Sequence, residues 1–232
     1  MLRREFFRLA SSAAAATSLP RWSWSTTLRQ RDLFPLGVAS GSPAPDGFVL
    51  WTRLLDGPVP GTVAADTPRT PLPPALTVRW EIAHDEAFRT IVRSGTAQAL
   101  EALGHSVHVE VTGLQPDRWY YYRFMHGDAV TQTARTRTAP AIDAMPGRTR
   151  IAYVSCQRWE QGRYAGYQHM LDEDLDAVLF LGDYIYEYAM PRKPPHPALV
   201  RSHTLATTRT LQDYRDRYAL YRTDAQLQAA HR

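Results

Sequence analysis

The sequence predicts a mixed fold, in which an all-β sandwich is followed by the start of an α/β domain. Short β-prone runs separated by turn residues occupy positions 33–136, and a linker rich in Pro, Gly and Ala follows at 141–148. After the linker, continuous apolar runs flank a helix-compatible segment. The 232 residues are 44% hydrophobic and 22% charged, which excludes a largely disordered or disulfide-rich chain.

The first residues predict an export signal. Arg3 and Arg4 are followed by Glu5, two phenylalanines and a weakly apolar stretch at Leu9–Leu19, which is shorter than the roughly 20 residues that span a bilayer. The adjacent arginines resemble the twin-arginine signal of bacteria. We therefore predict a signal peptide at 1–29, the twin-arginine translocase as partner, no transmembrane anchor, and a periplasmic or extracellular protein. An Ala-rich helix in a cytosolic protein is the alternative.

Residues 30–146 are predicted to form an antiparallel β-sandwich with its linker. The spacing of the β-prone runs, with Gly and Pro between several of them, is typical of sandwiches. Asp56–Pro73 contains five prolines and is expected to be a long surface loop. The predicted strands are Leu33–Ala39, Gly47–Arg53, Ala75–Ala83, Thr90–Thr96, Ser106–Val111, Trp119–His126 and Ala129–Thr136.

The segment 113–123 is the most specific part of this half. Tyr120 lies four residues beyond Pro116 and enters a strand, an arrangement that resembles the corner of fibronectin type III modules, where a tyrosine hydroxyl closes the turn. The aromatic run Trp119–Tyr122 alternates faces, so two rings should be buried and two exposed. The exposed pair could be half-buried strand positions or a platform for sugars.

Residues 147–232 are predicted to begin the α/β domain. Arg150–Ser155 and Asp176–Leu181 are apolar enough to be buried strands, and 164–174 is helix-compatible. This β-α-β order makes the two strands parallel neighbours. Their carboxyl ends, where function collects in such sheets, carry Cys156 and Asp183.

Three residue types near these strand ends suggest a metal site. Cys156 is the only cysteine, so it cannot form an intramolecular disulfide, and a thiolate beside the Asp183 carboxylate needs a cation between them. This mixture of soft and hard donors suits iron or zinc. Tyr186 lies three residues after Asp183 and supplies a phenolate, a good ferric ligand. The alternatives are a buried thiol, a strand-to-loop turn and aromatic packing.

Ser155-Cys156-Gln157 and the run Leu181–Glu187 resemble the opening motifs of the alkaline phosphatase D family, secreted members of the metallophosphoesterase superfamily. Gly37–Pro43 and Val49–Arg53 resemble that family's amino-terminal domain. The resemblance implies a fibronectin III-like sandwich and then a metallophosphatase domain of four layers, α/β/β/α, when complete. It also implies hydrolysis of phosphate mono- and diesters with ferric iron and calcium as cofactors.

Carried over by position, the resemblance assigns Cys156, Asp183 and Tyr186 as metal ligands. Asp183 would bridge iron and calcium and is the catalytic residue of the set. The family's later Asp-Asp-His-Glu run and metal-binding Asn are absent, since the sequence contains no asparagine at all. We therefore expect the chain to be an amino-terminal portion that is truncated within the 147–232 domain and has little activity by itself.

Other functions stay open at this point. The formal charge is +4 and the pI about 9.3, but the arginines are scattered, so we expect no surface specific for nucleic acid. A non-catalytic exported sandwich that binds envelope polysaccharide or a partner protein is the main alternative. A phospholipid or teichoic-acid diester is an alternative substrate for the same metal site. The remaining histidines, including His203 and His231, are expected at the surface or in turns.

Overall fold

The computed structural model describes residues 32–190 and 196–232. The predicted signal peptide at 1–29 therefore lies outside the described residues. Within the described ranges there are ten strands and three α-helices. The strands are β1 Val38–Ala44, β2 Gly47–Arg53, β3 Ala75–Ala83, β4 Ile91–Leu100, β5 Ser106–Val111, β6 Trp119–His126, β7 Ala129–Val130, β8 Ala134–Arg137, β9 Ile151–Val154 and β10 Ala177–Phe180; the helices are α1 Ala165–Leu171, α2 Leu211–Arg222 and α3 Ala225–Ala230.

Strands β1 to β8 form the predicted β-sandwich. One sheet has the order β1-β2-β5, and the other has the order β4-β3-β6-β7, with β8 also paired to β6. All of these pairs are antiparallel. Alternate residues point between the sheets and form one apolar core. Its most buried members include Val38, Leu50, Val78, Ile82, Tyr122 and Phe124.

Three strands of the sandwich differ from the sequence-based prediction. The strand predicted at Thr90–Thr96 is Ile91–Leu100, and the strand predicted at Leu33–Ala39 ends at Ala44. The first strand begins at Val38 rather than Leu33, because Gly37 adopts a φ of 68° and donates its N–H to Phe34 O in a turn. The predicted run 129–136 is divided into β7 and β8. There the Thr131 hydroxyl accepts a hydrogen bond from the Phe124 N–H at 3.0 Å, in place of a strand partner's carbonyl.

The predicted tyrosine corner is present before β6. The Tyr120 hydroxyl accepts a hydrogen bond from the Gln115 N–H at 3.0 Å and closes the turn. Tyr120 and Tyr122 are buried, whereas Trp119 is 36% exposed and Tyr121 half-buried. The alternation predicted for this aromatic run is confirmed.

Strands β9 and β10 are parallel neighbours, in the register Ile151 to Ala177 and Val154 to Phe180. The β-α-β prediction is therefore confirmed, but the prediction that both strands are buried is wrong. Tyr153 is 73% exposed and Ile151 51%. Helices α1 and α3 lie against each other beside this sheet, and within the described ranges the two strands are flanked by no further strand. The continuous apolar runs predicted that both faces of the strands would be covered. The described residues cover only one face.

Helix α2 begins at a capping box, in which Thr210 accepts from the Asp213 N–H and Asp213 accepts from the Thr210 N–H. The next helix is capped by Asp224, whose carboxylate accepts from the Gln226 and Leu227 N–H groups. Both helices pack on the sandwich. The Arg222 guanidinium donates to Leu36 O and Val38 O.

Two histidines that were expected at the surface or in turns are buried instead. His203 is 3% exposed and lies 3.6 Å from Glu160. The His231 ring stacks on Phe180 with centroids 4.5 Å apart. The apolar and charged partners that enclose these rings come from distant parts of the chain, so the local sequence contained no sign of their burial.

Candidate metal centre

The ends of β9 and β10 bring Cys156 and Asp183 together. After β9 the backbone keeps contact with the β10 side, because the Cys156 N–H donates to Gly182 O and the Gln157 N–H to Asp183 O. The Cys156 Sγ lies 3.6 Å from the Asp183 Oδ2. Both side chains are exposed, so a cation from solvent can reach them.

Both candidate ligands have left-handed backbone conformations. The φ angle is 57° at Cys156 and 49° at Asp183, a region that residues other than glycine seldom occupy. Such conformations cost about 1–3 kcal/mol each and cluster at functional sites. Here they turn the two side chains toward one another at the edge of the sheet, where extended continuation of the strands would place them apart.

Tyr186 completes a three-residue cluster. Its hydroxyl donates to the Asp183 Oδ2 at 3.0 Å. Desolvation and then the hydrogen bond to the Asp183 carboxylate raise the pKa of Tyr186. A nearby cation acts in the opposite direction and favours the phenolate and the thiolate. The cluster therefore places thiol, carboxyl and phenol donors within reach of one another.

Gln157 connects the loop after β9, which contains Cys156, to the loop after β10, which contains Asp183. It is buried, and its Nε2 donates to Tyr184 O at 2.9 Å. Its Oε1 accepts from the Tyr167 hydroxyl and its backbone carbonyl accepts from the Tyr164 hydroxyl. Burial raises the pKa of Tyr167 to about 12, so this hydroxyl remains a donor over the physiological range. The residue next to Cys156 thus fixes the residue next to Asp183.

Arg158 supports Tyr186 from behind, and sequence reasoning missed it. Its guanidinium lies 4.0 Å from the Tyr186 ring centroid and 4.7 Å from that of Tyr188. It also donates to Tyr188 O at 3.1 Å and lies 3.6 Å from the buried Glu160 carboxylate. All but one of the 27 Lys and Arg residues are arginine, so composition did not distinguish this one. Its position two residues after Cys156 was the available signal.

No other candidate metal site appears among the residues that the structure describes. Within them there is no group of three His, Cys, Asp or Glu side chains suited to a metal ion. The cluster at the strand ends has two such side chains, and its third donor is the phenol of Tyr186.

Trp119, the exposed aromatic side chain of the alternative binding module, is partly covered. The Arg135 guanidinium lies 4.4 Å from the Trp119 ring centroid, and that of Arg137 lies 5.7 Å from it. A flat aromatic face that binds a sugar has to be open to it. This geometry does not favour the polysaccharide platform.

The fold and the strand-end cluster define a β-sandwich joined to a parallel β-α-β unit with thiol, carboxyl and phenol groups at its strand ends, and comparison with known proteins identifies the family. The family model for the PhoD-like phosphatase N-terminal domain matches residues 18–140, and the model for PhoD-like phosphatase matches residues 151–232. The chain belongs to the PhoD-like phosphatase family.

Two relatives show how much of the family's proteins this chain spans. It is 48% identical over 198 residues to alkaline phosphatase D of Bacillus subtilis strain 168, a match that covers 85% of this chain and 33% of that protein. A solved structure of PhoD superposes with a TM-score of 0.77 at 47% identity, covering 89% of this chain and 38% of the other. The chain thus spans about a third of the length of the curated relative it matches.

Proposed function

We propose that this chain contributes the first metal ligands of an exported, metal-dependent phosphoric-ester hydrolase of the alkaline phosphatase D type. The observation that carries the proposal is the cluster of Cys156, Asp183 and Tyr186 at the carboxyl ends of two adjacent parallel strands. The named relative is an alkaline phosphatase, which supports phosphate esters as the substrate class. Both monoesters and diesters belong to the proposal.

The donor set fits ferric iron and calcium. Cys156 and Tyr186 would bind iron through sulfur and phenolate oxygen, since both are strong ligands for that ion. The Asp183 carboxylate has two oxygens and would bridge iron to calcium, which prefers oxygen ligands. When bound, such metals stabilise negative charge on phosphoryl oxygens and activate water. The Asp183 carboxylate would balance part of the metal charge, and the contacts of Gln157 and Arg158 would hold the three donors in position.

Metal analysis of the purified chain tests the ligand assignment. We expect bound iron in the wild type, with an absorption band from thiolate or phenolate, and loss of both in Cys156→Ala and Asp183→Ala. Tyr186→Phe should shift or remove the phenolate contribution. Asp174→Ala is the matched control, because Asp174 is an exposed carboxylate of the same segment and lies outside the cluster. Iron content unchanged in all three cluster variants would sink the assignment.

The 232-residue polypeptide alone is expected to have little phosphatase activity. The described residues bring only three candidate donors together at the strand ends, whereas a site with two or more metals needs more ligands than three. The test is hydrolysis of nitrophenyl phosphate with added iron and calcium. Efficient metal-dependent turnover by this polypeptide would overturn the expectation.

Export by the twin-arginine translocase and a periplasmic or extracellular location are part of the proposal. They rest on Arg3 and Arg4 in the proposed signal at 1–29. No helix in the described part of the chain is long and apolar enough to span a membrane. We expect residues 1–40 to export a folded reporter protein. Replacing Arg3 and Arg4 by lysine should abolish export, while Arg8→Lys should leave it intact.

The domain organisation completes the proposal. The sandwich with its linker takes residues 30–146, and residues 147–232 begin the metallophosphatase domain, which has four layers, α/β/β/α, when complete. The parallel pair β9 and β10 with α1 supports this assignment. Limited proteolysis that cuts first between 141 and 148 would agree with it, and first cuts inside either domain would contradict it.

A further inference from the structure

A cavity separate from the strand-end cluster lies between the proline-rich loop 56–73, the turn from β4 to β5 and helix α2. Its volume is about 570 Å³, within the range of ligand pockets. Neither Cys156 nor Asp183 lines it. Three guanidinium groups do, from Arg53, Arg69 and Arg215. We call it the arginine cavity.

Arg53 is nearly buried, and its guanidinium group lies at the wall of the arginine cavity. The residue is 6% exposed. Its Nε donates to Gly104 O at 2.8 Å and its Nη1 to Arg215 O at 3.0 Å, and among the described residues its Nη2 has no hydrogen-bond acceptor. No carboxylate of the described ranges forms an ion pair with Arg53. Arg222 is likewise buried against backbone carbonyls without a carboxylate, but Arg53 in addition lines the arginine cavity.

Arg215 approaches the same turn from helix α2. Its Nη2 donates to Ala102 O, two residues before the Gly104 carbonyl that accepts from Arg53. Gly104 has a φ of 61°, and an added Cβ would meet the Arg215 Nε at 3.0 Å, so glycine permits this approach. Like Arg53, Arg215 forms no ion pair with a carboxylate in the part of the chain that the structure describes. Asp216 is taken by Arg69 at 3.4 Å and by Gln212 at 2.8 Å.

The electrostatics of the arginine cavity favour an anion. Burial lowers the pKa of Arg53, and the neighbouring Arg215 and Arg69 lower it further, with Asp216 acting in the opposite direction. An oxyanion between these groups would offset the repulsion and accept hydrogen bonds from the Arg53 Nη2 and from the Arg215 nitrogens that are not bonded to Ala102 O. The carboxylates of Asp56 and Glu101 also line the cavity. They would repel an anion that does not contact the arginines directly.

We propose that the arginine cavity binds a tetrahedral oxyanion, either inorganic phosphate or the phosphate group of an ester, through Arg53 and Arg215. The site is distinct from the proposed metal centre and needs no metal. It gives the protein a second place to hold phosphate, on the side where the sandwich meets helix α2. Its existence does not depend on the proposed catalytic function.

Calorimetric titration of the full 232-residue chain with inorganic phosphate, in excess chelator, tests the site. Chloride at equal ionic strength is the reference. We expect saturable binding of one phosphate, and roughly 10- to 150-fold weaker binding in Arg215→Ala, since a hydrogen bond to a charged group contributes on the order of 1.5–3 kcal/mol. Arg53→Lys should weaken binding too, because the planar fork is lost while the charge stays. A parallel titration with glycerol phosphate distinguishes the two sources of the oxyanion. Tighter binding of glycerol phosphate than of inorganic phosphate indicates an ester ligand. Equal or tighter binding of inorganic phosphate indicates free phosphate.

Two controls separate the arginine cavity from other anion sites. Arg209→Ala removes an exposed arginine just before α2 and should change phosphate binding less than about twofold, since isolated surface charges contribute little. Asp183→Ala should retain phosphate binding if the metal centre is not involved. Should Arg53→Lys fail to fold, Arg215→Ala still decides the question. No saturable phosphate binding, or binding unchanged in Arg215→Ala, would overturn the proposal.

Discussion

The sandwich and the carboxyl-terminal segment 151–232 are stabilised by different means. The sandwich core contains aliphatic and aromatic side chains from alternating strand positions. In the carboxyl-terminal segment, the largest fully buried side chains include Arg217 and Arg222. Its packed apolar cluster consists largely of aromatic rings around Trp159 and Tyr221. One region is held by area removed from water, and the other by aromatic contacts around hydrogen-bonded charges.

The difference matters because one of these buried arginines, Arg222, connects the two regions. Arg222 donates to Leu36 O and Val38 O, which precede and begin the first strand of the sandwich. Arg217 donates to Ala206 O at 2.7 Å and contacts His203 within its own segment. A buried guanidinium satisfies carbonyls that would otherwise lose their hydrogen bonds. The carboxyl-terminal segment is thus connected to the sandwich by hydrogen bonds that depend on the position of each partner.

The largest effect is expected for Arg222→Ala. It removes three hydrogen bonds to two buried carbonyls and the contact with Trp51, so we expect a loss of about 3–5 kcal/mol in the free energy of unfolding. Hydrogen exchange should rise first in α2 and α3 and least in β3. Arg209→Ala, which removes an exposed arginine, is the control. Equal loss of protection throughout the sandwich would show that the two regions are not distinct.

Leu50→Ala tests the other side of the comparison. Leu50 is fully buried in the sandwich core, and its truncation should cost about 2–5 kcal/mol. Exchange should rise in both sheets of the sandwich. Leu103→Ala, at an exposed position, should change the free energy of unfolding by less than about 0.5 kcal/mol. If α2 and α3 lose protection before the sandwich does, the apolar core does not act as its own unit.

His231 gives the carboxyl-terminal segment a pH dependence. Burial, and then the nearby Arg222, lower the pKa of His231 well below its usual value, and its ring faces Phe180 and the Tyr184 hydroxyl. The unfolded chain therefore binds a proton near pH 6.5 that the folded chain does not, so stability falls as pH decreases below that value. The slope per histidine is at most about 1.4 kcal/mol per pH unit.

Urea unfolding between pH 7.5 and 5.5 measures this slope. His231→Gln should flatten it, whereas His169→Gln, at an exposed position, should not. An unchanged slope in His231→Gln would show that another group titrates. The pKa of Tyr184 is raised by burial, so its contribution is present below pH 10 and is lost only at higher pH. It therefore does not interfere with the measurement.

The smallest effect is expected for Tyr120→Phe. The change removes the hydroxyl that accepts from the Gln115 N–H and leaves the ring in the core. The loss should be about 1 kcal/mol, and only the turn before β6 should exchange faster. Tyr121→Phe, in the neighbouring half-buried position, is the control. A loss of stability as large as that of Leu50→Ala would mean that the corner organises the whole sandwich.

Much of the sandwich was predictable because its signals are local. Alternation and turn residues located most strands of the amino-terminal half, and the spacing from Pro116 to Tyr120 predicted the corner. The adjacency of Cys156 and Asp183 also followed from the sequence, since parallel neighbouring strands end at one edge of a sheet. Their role as metal ligands stays a prediction.

The remaining features depend on partners that are far apart in the sequence. Arg222 bonds to Leu36 across 186 positions, and Arg53 bonds to Arg215 across 162. A pattern of apolar residues contains no information about which arginine is buried or which histidine is enclosed. The sequence alone therefore did not identify Arg158 as a support for the Tyr186 ring. It also did not predict that His203 and His231 are buried.

The sequence by itself determined the order of elements, the two-part architecture and the strand ends at which thiol and carboxylate meet. These follow from periodicity, turn chemistry and the handedness of β-α-β units, which act over short distances. Only the tertiary structure decided how the carboxyl-terminal segment is attached to the sandwich and which arginines of the described ranges are buried. The free energy of a buried charge depends on every group around it, and those groups are brought together by the fold.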